Sequence, residues 1–165
     1  MEIGEKWLTD VTEFSIPTDT RKLYLSPIMD LYSNDIVVYE TSFRNDNRLV
    51  FKMFDKAIKK YPKAKPIFHS DRGFQYTSRV FKTKLEESEM TQSMSQVGKC
   101  IDNGPMEGFF GTLKSEMFYG KKFDSLEELE RAIHKYIKFY NEDRFQKNLG
   151  CLAPVEFRNQ ASSCI

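Results

Sequence analysis

Polar and apolar positions alternate over residues 7–14, with Leu8, Asp10, Thr12 and Phe14 on one side and Trp7, Thr9, Val11 and Glu13 on the other. That two-residue period is a strand's, and an aspartate inside it runs against strand preference, so Asp10 calls for a reason beyond the sheet. Residues 22–31 and 35–43 read as two further strands joined by a Ser33-Asn34 turn, which predicts an antiparallel hairpin. Pro27 interrupts the first of them; a proline removes a ladder hydrogen bond, so a local irregularity is expected there. The period then changes. Leu49, Val50, Met53, Phe54, Ala57 and Ile58 form a helical stripe over residues 45–61, with Asn45 or Asp46 as cap and Pro62 as stop. The apolar run 66–68 that follows suits a buried parallel strand reached by this helical crossover, and Asp71 falls just past its carboxyl end, where ligands gather in such sheets.

Thr77 or Ser78 opens a second helix to about residue 89, with Val80, Phe81 and Leu85 turned inward, before a short fifth strand at 91–93. Residues 95–101 carry no period and read as a loop beside the site. A third helix is capped within residues 102–104, with Pro105 in its first turn. Its stripe is Met106, Phe109, Phe110, Leu113 and Met117, while Glu107, Gly111 and Lys114 share a second face. Ser125 to Glu128 form a capping box that opens a fourth helix, with Leu126, Leu129, Ile133, Tyr136, Ile137 and Tyr140 inward. A short final helical turn is expected at 153–157, and residues 159–165 offer no pattern and are expected to be a disordered tail.

The chain has 165 residues, 40% hydrophobic and 30% charged, which suits one globular domain. No apolar run approaches the roughly 18 residues of a membrane span and no signal-peptide pattern opens the chain, so a cytoplasmic protein without membrane partners is expected. Cys100, Cys151 and Cys164 are an odd number without CxxC spacing, and His69 and His134 lie far apart; neither a disulfide framework nor a zinc site follows. A net charge of +1 still allows a DNA-handling protein if acids and bases occupy different places.

Two clusters remain, HSDRGFQYTS at 69–78 and DNGPMEGFFGTLK at 102–114, and 35 residues separate Asp71 from Glu107. With Asp10, these phrases and YIKFYNEDR at 136–144 resemble the catalytic core of bacterial insertion-sequence DDE transposases, in the branch related to retroviral integrases, over residues 7–158. The resemblance implies a ribonuclease H-like α/β fold whose five-stranded mixed sheet is ordered 3-2-1-4-5 with helices on both faces. It also implies that Asp10, Asp71 and Glu107 are the catalytic acids and hold two Mg2+ or Mn2+ ions. Hard cations take oxygen ligands, and two ions can activate the attacking oxygen and stabilise the leaving one.

The reaction implied is metal-dependent phosphodiester hydrolysis at transposon ends followed by 3′-hydroxyl strand transfer into target DNA, carried out by a homo-oligomer on paired ends. Arg72, Lys99, Lys114 and Arg144 are the candidate DNA contacts. Gln75 and Tyr76 suit either a nucleic-acid contact or packing, and His69, Asp30 and Asp102 are read as structural. Glu116, nine residues beyond Glu107, falls on the opposite helical face. Two departures from the family pattern stand out. Gln146 occupies a position where many relatives carry histidine, and no helix-turn-helix recognition domain precedes the first strand, so weak end recognition is expected. Two alternatives stay open: a general ribonuclease H-like nuclease, and an inactive remnant serving DNA binding or assembly.

Overall fold

A computed structural model of the chain describes residues 1–95 and 103–163. The alternating segment forms β1 (Lys6–Thr9) and β2 (Thr12–Phe14), both antiparallel to β3 (Leu23–Asp30). Instead of one strand over 7–14 there are two, broken at Asp10 and Val11. The pairs Thr9↔Ile28 and Thr12↔Leu25 bracket the break and put Asp10 opposite Pro27. Pro27 has no N–H to give, and its carbonyl oxygen accepts from the Thr9 hydroxyl at 2.9 Å. The ladder therefore lapses at the aspartate. The expected irregularity also shows on the other side of β3, where pairing with β4 (Ile36–Ser42) shifts register between Ile28 and Met29.

Helix α1 (Asn47–Lys60) crosses to β5 (Ile67–Ser70), which lies parallel to β1, and β6 (Thr91–Met94) lies parallel to β5. Counting β1 and β2 as one strand gives the expected order 3-2-1-4-5. Asp46 caps α1 by accepting from the Arg48 and Leu49 amides. At the sheet edge, Lys60 and Lys56 donate to the Val37 and Tyr39 carbonyls and Asn141 bonds both backbone groups of Ile36, which blunts an otherwise open strand.

The sheet is covered on both faces because its strands alternate. Leu8, Phe14, Leu25 and Met29 face α4 (Gly104–Leu113) and α5 (Leu126–Glu142), meeting Met106, Phe109, Leu113, Ile133 and Tyr140. Trp7, Ile28 and Phe68 face α1 and α3 (Arg79–Glu87), meeting Met53, Phe54, Phe81 and Leu85. Phe54, Phe68 and Phe81 pack with ring centroids 5.4 to 5.6 Å apart, contacts worth about 0.5–1.5 kcal/mol each beyond area burial. Val80, expected inward, is exposed; Phe81 and Leu85 alone fill that stripe.

Three features lie outside the period-based reading. Residues Phe74–Thr77 form a short helix, α2, ahead of α3. Helix α4 does not stop at Leu113 but continues as π-helical turns over Lys114–Phe118. The last helix, α6 (Pro154–Ser163), is twice the expected turn, so residues 159–163 are helical and not a disordered tail. Arg158 holds α6 to the body through Asp35, with Nη1 to Oδ2 at 2.7 Å, and Phe157 packs on Tyr32. No helix among the described residues is long and apolar enough to cross a membrane.

Candidate active site

Asp10 and Asp71 follow the carboxyl ends of adjacent parallel strands. The pair Leu8↔His69, continued by two residues, sets them side by side across a strand spacing of about 4.8 Å. Both line a cavity of about 270 Å³ with Tyr24, Asn45 and Gly73. Each carboxylate is held by backbone: Asp10 Oδ1 accepts from the Val11 amide and Asp71 Oδ1 from the Gly73 amide, both at 2.8 Å. A Cβ at residue 73 would sit 3.0 Å from Asp71 Oδ1, tighter than such contacts normally allow, so glycine is what lets the turn close on the acid. Glu107, in the first turn of α4, is exposed and accepts no hydrogen bond from a described residue. It acts on Asp10 by charge.

Burial, more than anything else, pushes the Asp10 carboxyl up to about 6; the negative charges of Asp71 and Glu107 add to it, against the pull of the Val11 N–H. No ion pair among the described residues neutralises any of the three acids. As they stand, no three His, Cys, Asp or Glu among the described residues gather tightly enough to hold an ion. The donor set itself fits a hard divalent cation: carboxylate oxygens, negative charge that no described ion pair compensates, and a buried acid whose pKa is raised.

That shift has a stability consequence. The folded pKa of Asp10 exceeds its unfolded value of 3.8, so the metal-free native state binds more protons between about pH 4 and pH 6. Its contribution is fully present below pH 4 and lost as pH rises through 6, a change of about 2–3 kcal/mol at 1.36 kcal/mol per unit. In EDTA at pH 7, Asp10→Asn is therefore expected to melt about 4–12 °C above the parent, with the gap closing near pH 4. Thermal melts across that range check it; equal pH slopes in the two proteins would refute it.

The basic candidates are differently placed. Arg72 donates Nε to the Ser95 carbonyl at 3.0 Å and is otherwise exposed. The Lys114 ammonium lies 5.1 Å from the Phe14 ring centre, where partial burial lowers its pKa against the raising charge of Glu13. Arg144 is engaged by Glu116, Nε to both carboxylate oxygens at 3.0 Å and Nη2 to Oε1 at 2.7 Å. Glu116 also accepts from the Tyr136 hydroxyl, and Arg144 is the first of the bonds that hold its pKa down. Lys99 and Asp102 lie outside the described residues. Buried His69 bonds the Ser93 and Ser95 hydroxyls. Asp30 is buried at the other end of β3, accepting from the Gly4, Tyr32 and Ser33 amides. Gln75 and Tyr76 are buried against Asn45 and Thr9.

Sequence reading passed over Asn103, which donates from Nδ2 to Asp10 Oδ2 at 3.2 Å. The only local signal was its place at the start of α4, which reads as a cap.

The integrase core domain family matches residues 2–100, and a second integrase core domain family matches 107–161. The InsK protein of insertion sequence element IS150 in Escherichia coli (strain K12), assigned as a transposase, is 47% identical over 95% of this chain. A transposase-like protein of Haemophilus influenzae is 45% identical over 96%. The chain spans 55% of the first relative's length and 72% of the second's. The solved catalytic core of HTLV-2 integrase, a trimeric form in complex with magnesium, superposes with a TM-score of 0.73 at 17% identity, covering 96% of this chain and 98% of that one.

Proposed function

Because this chain belongs to the integrase core family, we propose that it is the catalytic domain of an insertion-sequence DNA transposase, cutting phosphodiesters at transposon ends and joining the freed 3′-hydroxyl to target DNA. The observation that carries this reading is the pairing of Asp10 and Asp71 at the ends of adjacent parallel strands, with the charge of Glu107 close enough to act on Asp10. Two Mg2+ or Mn2+ ions, when bound, supply the Lewis acidity that activates the attacking hydroxyl and neutralises the leaving oxygen.

The chain's own residues do the rest. Asp10 sits centrally, each oxygen taking one hydrogen bond, from Val11 and Asn103, which leaves each a lone pair for an ion. Asp71 serves one flank and the unpartnered Glu107 the other. Arg72 and Lys114 hold phosphates of the DNA by charge, with Lys99 as a third contact; Arg144 takes part only with what its pair with Glu116 leaves free. No side chain acts as a covalent nucleophile, since water and a 3′-hydroxyl do the attacking. The working form is a homo-oligomer on paired DNA ends, acting in the bacterial cytoplasm.

That no three-acid cluster is closed among the described residues favours one second reading, an inactive module for DNA binding or assembly. A branched DNA that mimics the strand-transfer product separates the readings, because it demands little end recognition. Resealed strands in Mn2+ and none in EDTA are the expected result. Nicked but never joined DNA would mark a general nuclease, and bound DNA with no turnover would favour the inactive module.

A further inference from the structure

Asn103 is 5% exposed and stands at the start of α4, yet its side chain makes no capping bond. A residue in that place ordinarily accepts from the amide two or three residues on, and the residue two on is Pro105, which has no N–H. The amide instead turns toward the sheet and donates from Nδ2 to Asp10 Oδ2 at 3.2 Å. Chemistry fixes this orientation, since the reverse would set a carbonyl oxygen against a carboxylate. Its Oδ1 is left buried with no partner, a cost that buried amides normally avoid. Among the described residues the side chain thus forgoes both a cap bond and a partner for its oxygen while making one hydrogen bond, to Asp10.

We propose that Asn103 is a positioning residue for Asp10: its N–H holds Oδ2 and ties the end of β1 to the first turn of α4, so that Asp10 and Glu107 meet a divalent cation at a preset separation. The proposal rests on the acidic-site reading above. Asp10 lies where the β1 ladder has lapsed, so sheet pairing does not hold its backbone, and Val11 fixes only the other oxygen. Asn103 supplies the missing restraint from the element that also carries Glu107.

The test compares Mn2+ binding by the full chain, without DNA, among the parent, Asn103→Ser and Asn103→Ala. Free Mn2+ is followed by its electron paramagnetic resonance, with metal-free melting temperatures measured alongside. Serine caps a helix about as well as asparagine but cannot reach Asp10 as the amide does. Both variants are expected to bind Mn2+ about 10–100-fold more weakly, the usual effect of losing a group that orients a metal ligand, with the serine variant melting as the parent does. Serine-variant affinity equal to the parent's would overturn the proposal. A parent that binds no Mn2+ would overturn the acidic-site reading, and this proposal with it.

Discussion

Asp71→Asn and Glu107→Gln are each expected to cut joining of branched DNA by about 10³-fold or more while leaving the fold intact. Each replaces a carboxylate by an amide of nearly the same shape, so what is lost is one negative charge and one strong oxygen donor. Metal ions contribute several kcal/mol of transition-state stabilisation in such reactions, and each 1.36 kcal/mol is tenfold in rate; a loss of about 4 kcal/mol gives the factor stated. The fold should survive for separate reasons at the two sites. An amide oxygen at position 71 can still accept from the Gly73 amide, which now bonds Asp71 Oδ1, and the exposed Glu107 side chain has no hydrogen-bond partner among the described residues. Asp10→Asn should be as inactive yet more heat-resistant without metal, since its carboxylate is the one raised to about 6. Stability gained as activity is lost is what a site strained for function predicts. The assay is strand joining in Mn2+ beside circular dichroism melts; either variant keeping a tenth of parental activity would remove that acid from the site.

The largest expected loss of stability comes from the far end of the molecule. Arg158→Ala should lower stability by about 3–5 kcal/mol, the cost of stranding one partner of a buried ion pair, or a melting temperature some 6–20 °C lower for a domain this size. The Arg158 and Asp35 side chains are 18% and 5% exposed. Without the guanidinium, Asp35 keeps the Ser33 hydroxyl, which serves a buried Asp30 as well. The arginine also lies over the Tyr61 ring, so part of the loss is packing. Arg158→Met combined with Asp35→Asn keeps volume and removes both charges, and should recover more than half of the deficit. Urea denaturation of the parent and the two variants measures it. A change under about 1 kcal/mol in Arg158→Ala would mean that α6 is not held by this pair.

Both results depend on features of unequal legibility in the chain. The three candidate acids stood in recognisable phrases, and the long helices α1 and α5 announced themselves through a helical stripe of apolar residues. Asp46 and Ser125 were readable as caps because a cap is a local bond, made within three residues. Helix α6 was cut short in the reading because residues 159–163 carry no apolar stripe; contacts with residues distant in the chain hold it instead, Arg158 with Asp35 and Tyr61 and Phe157 with Tyr32. The α2 turn and the π-helical end of α4 are also aperiodic. The second is accompanied by the contacts of Glu116 with Arg144 and Tyr136, 28 and 20 residues away.

What the sequence determined by itself was the order and kind of most elements and where along them the three candidate acids fall, since periodicity, caps and motifs are properties of neighbours along the chain. Only the tertiary structure decided that β1 breaks at Asp10, that Asn103 bonds Asp10 from 93 residues away and that Arg144 is taken up by Glu116. Each of these depends on strand register or on a partner distant in the chain. Pro27 shows the difference most plainly: its lost hydrogen bond could be foreseen, but the aspartate that it frees is known only once the strands are paired.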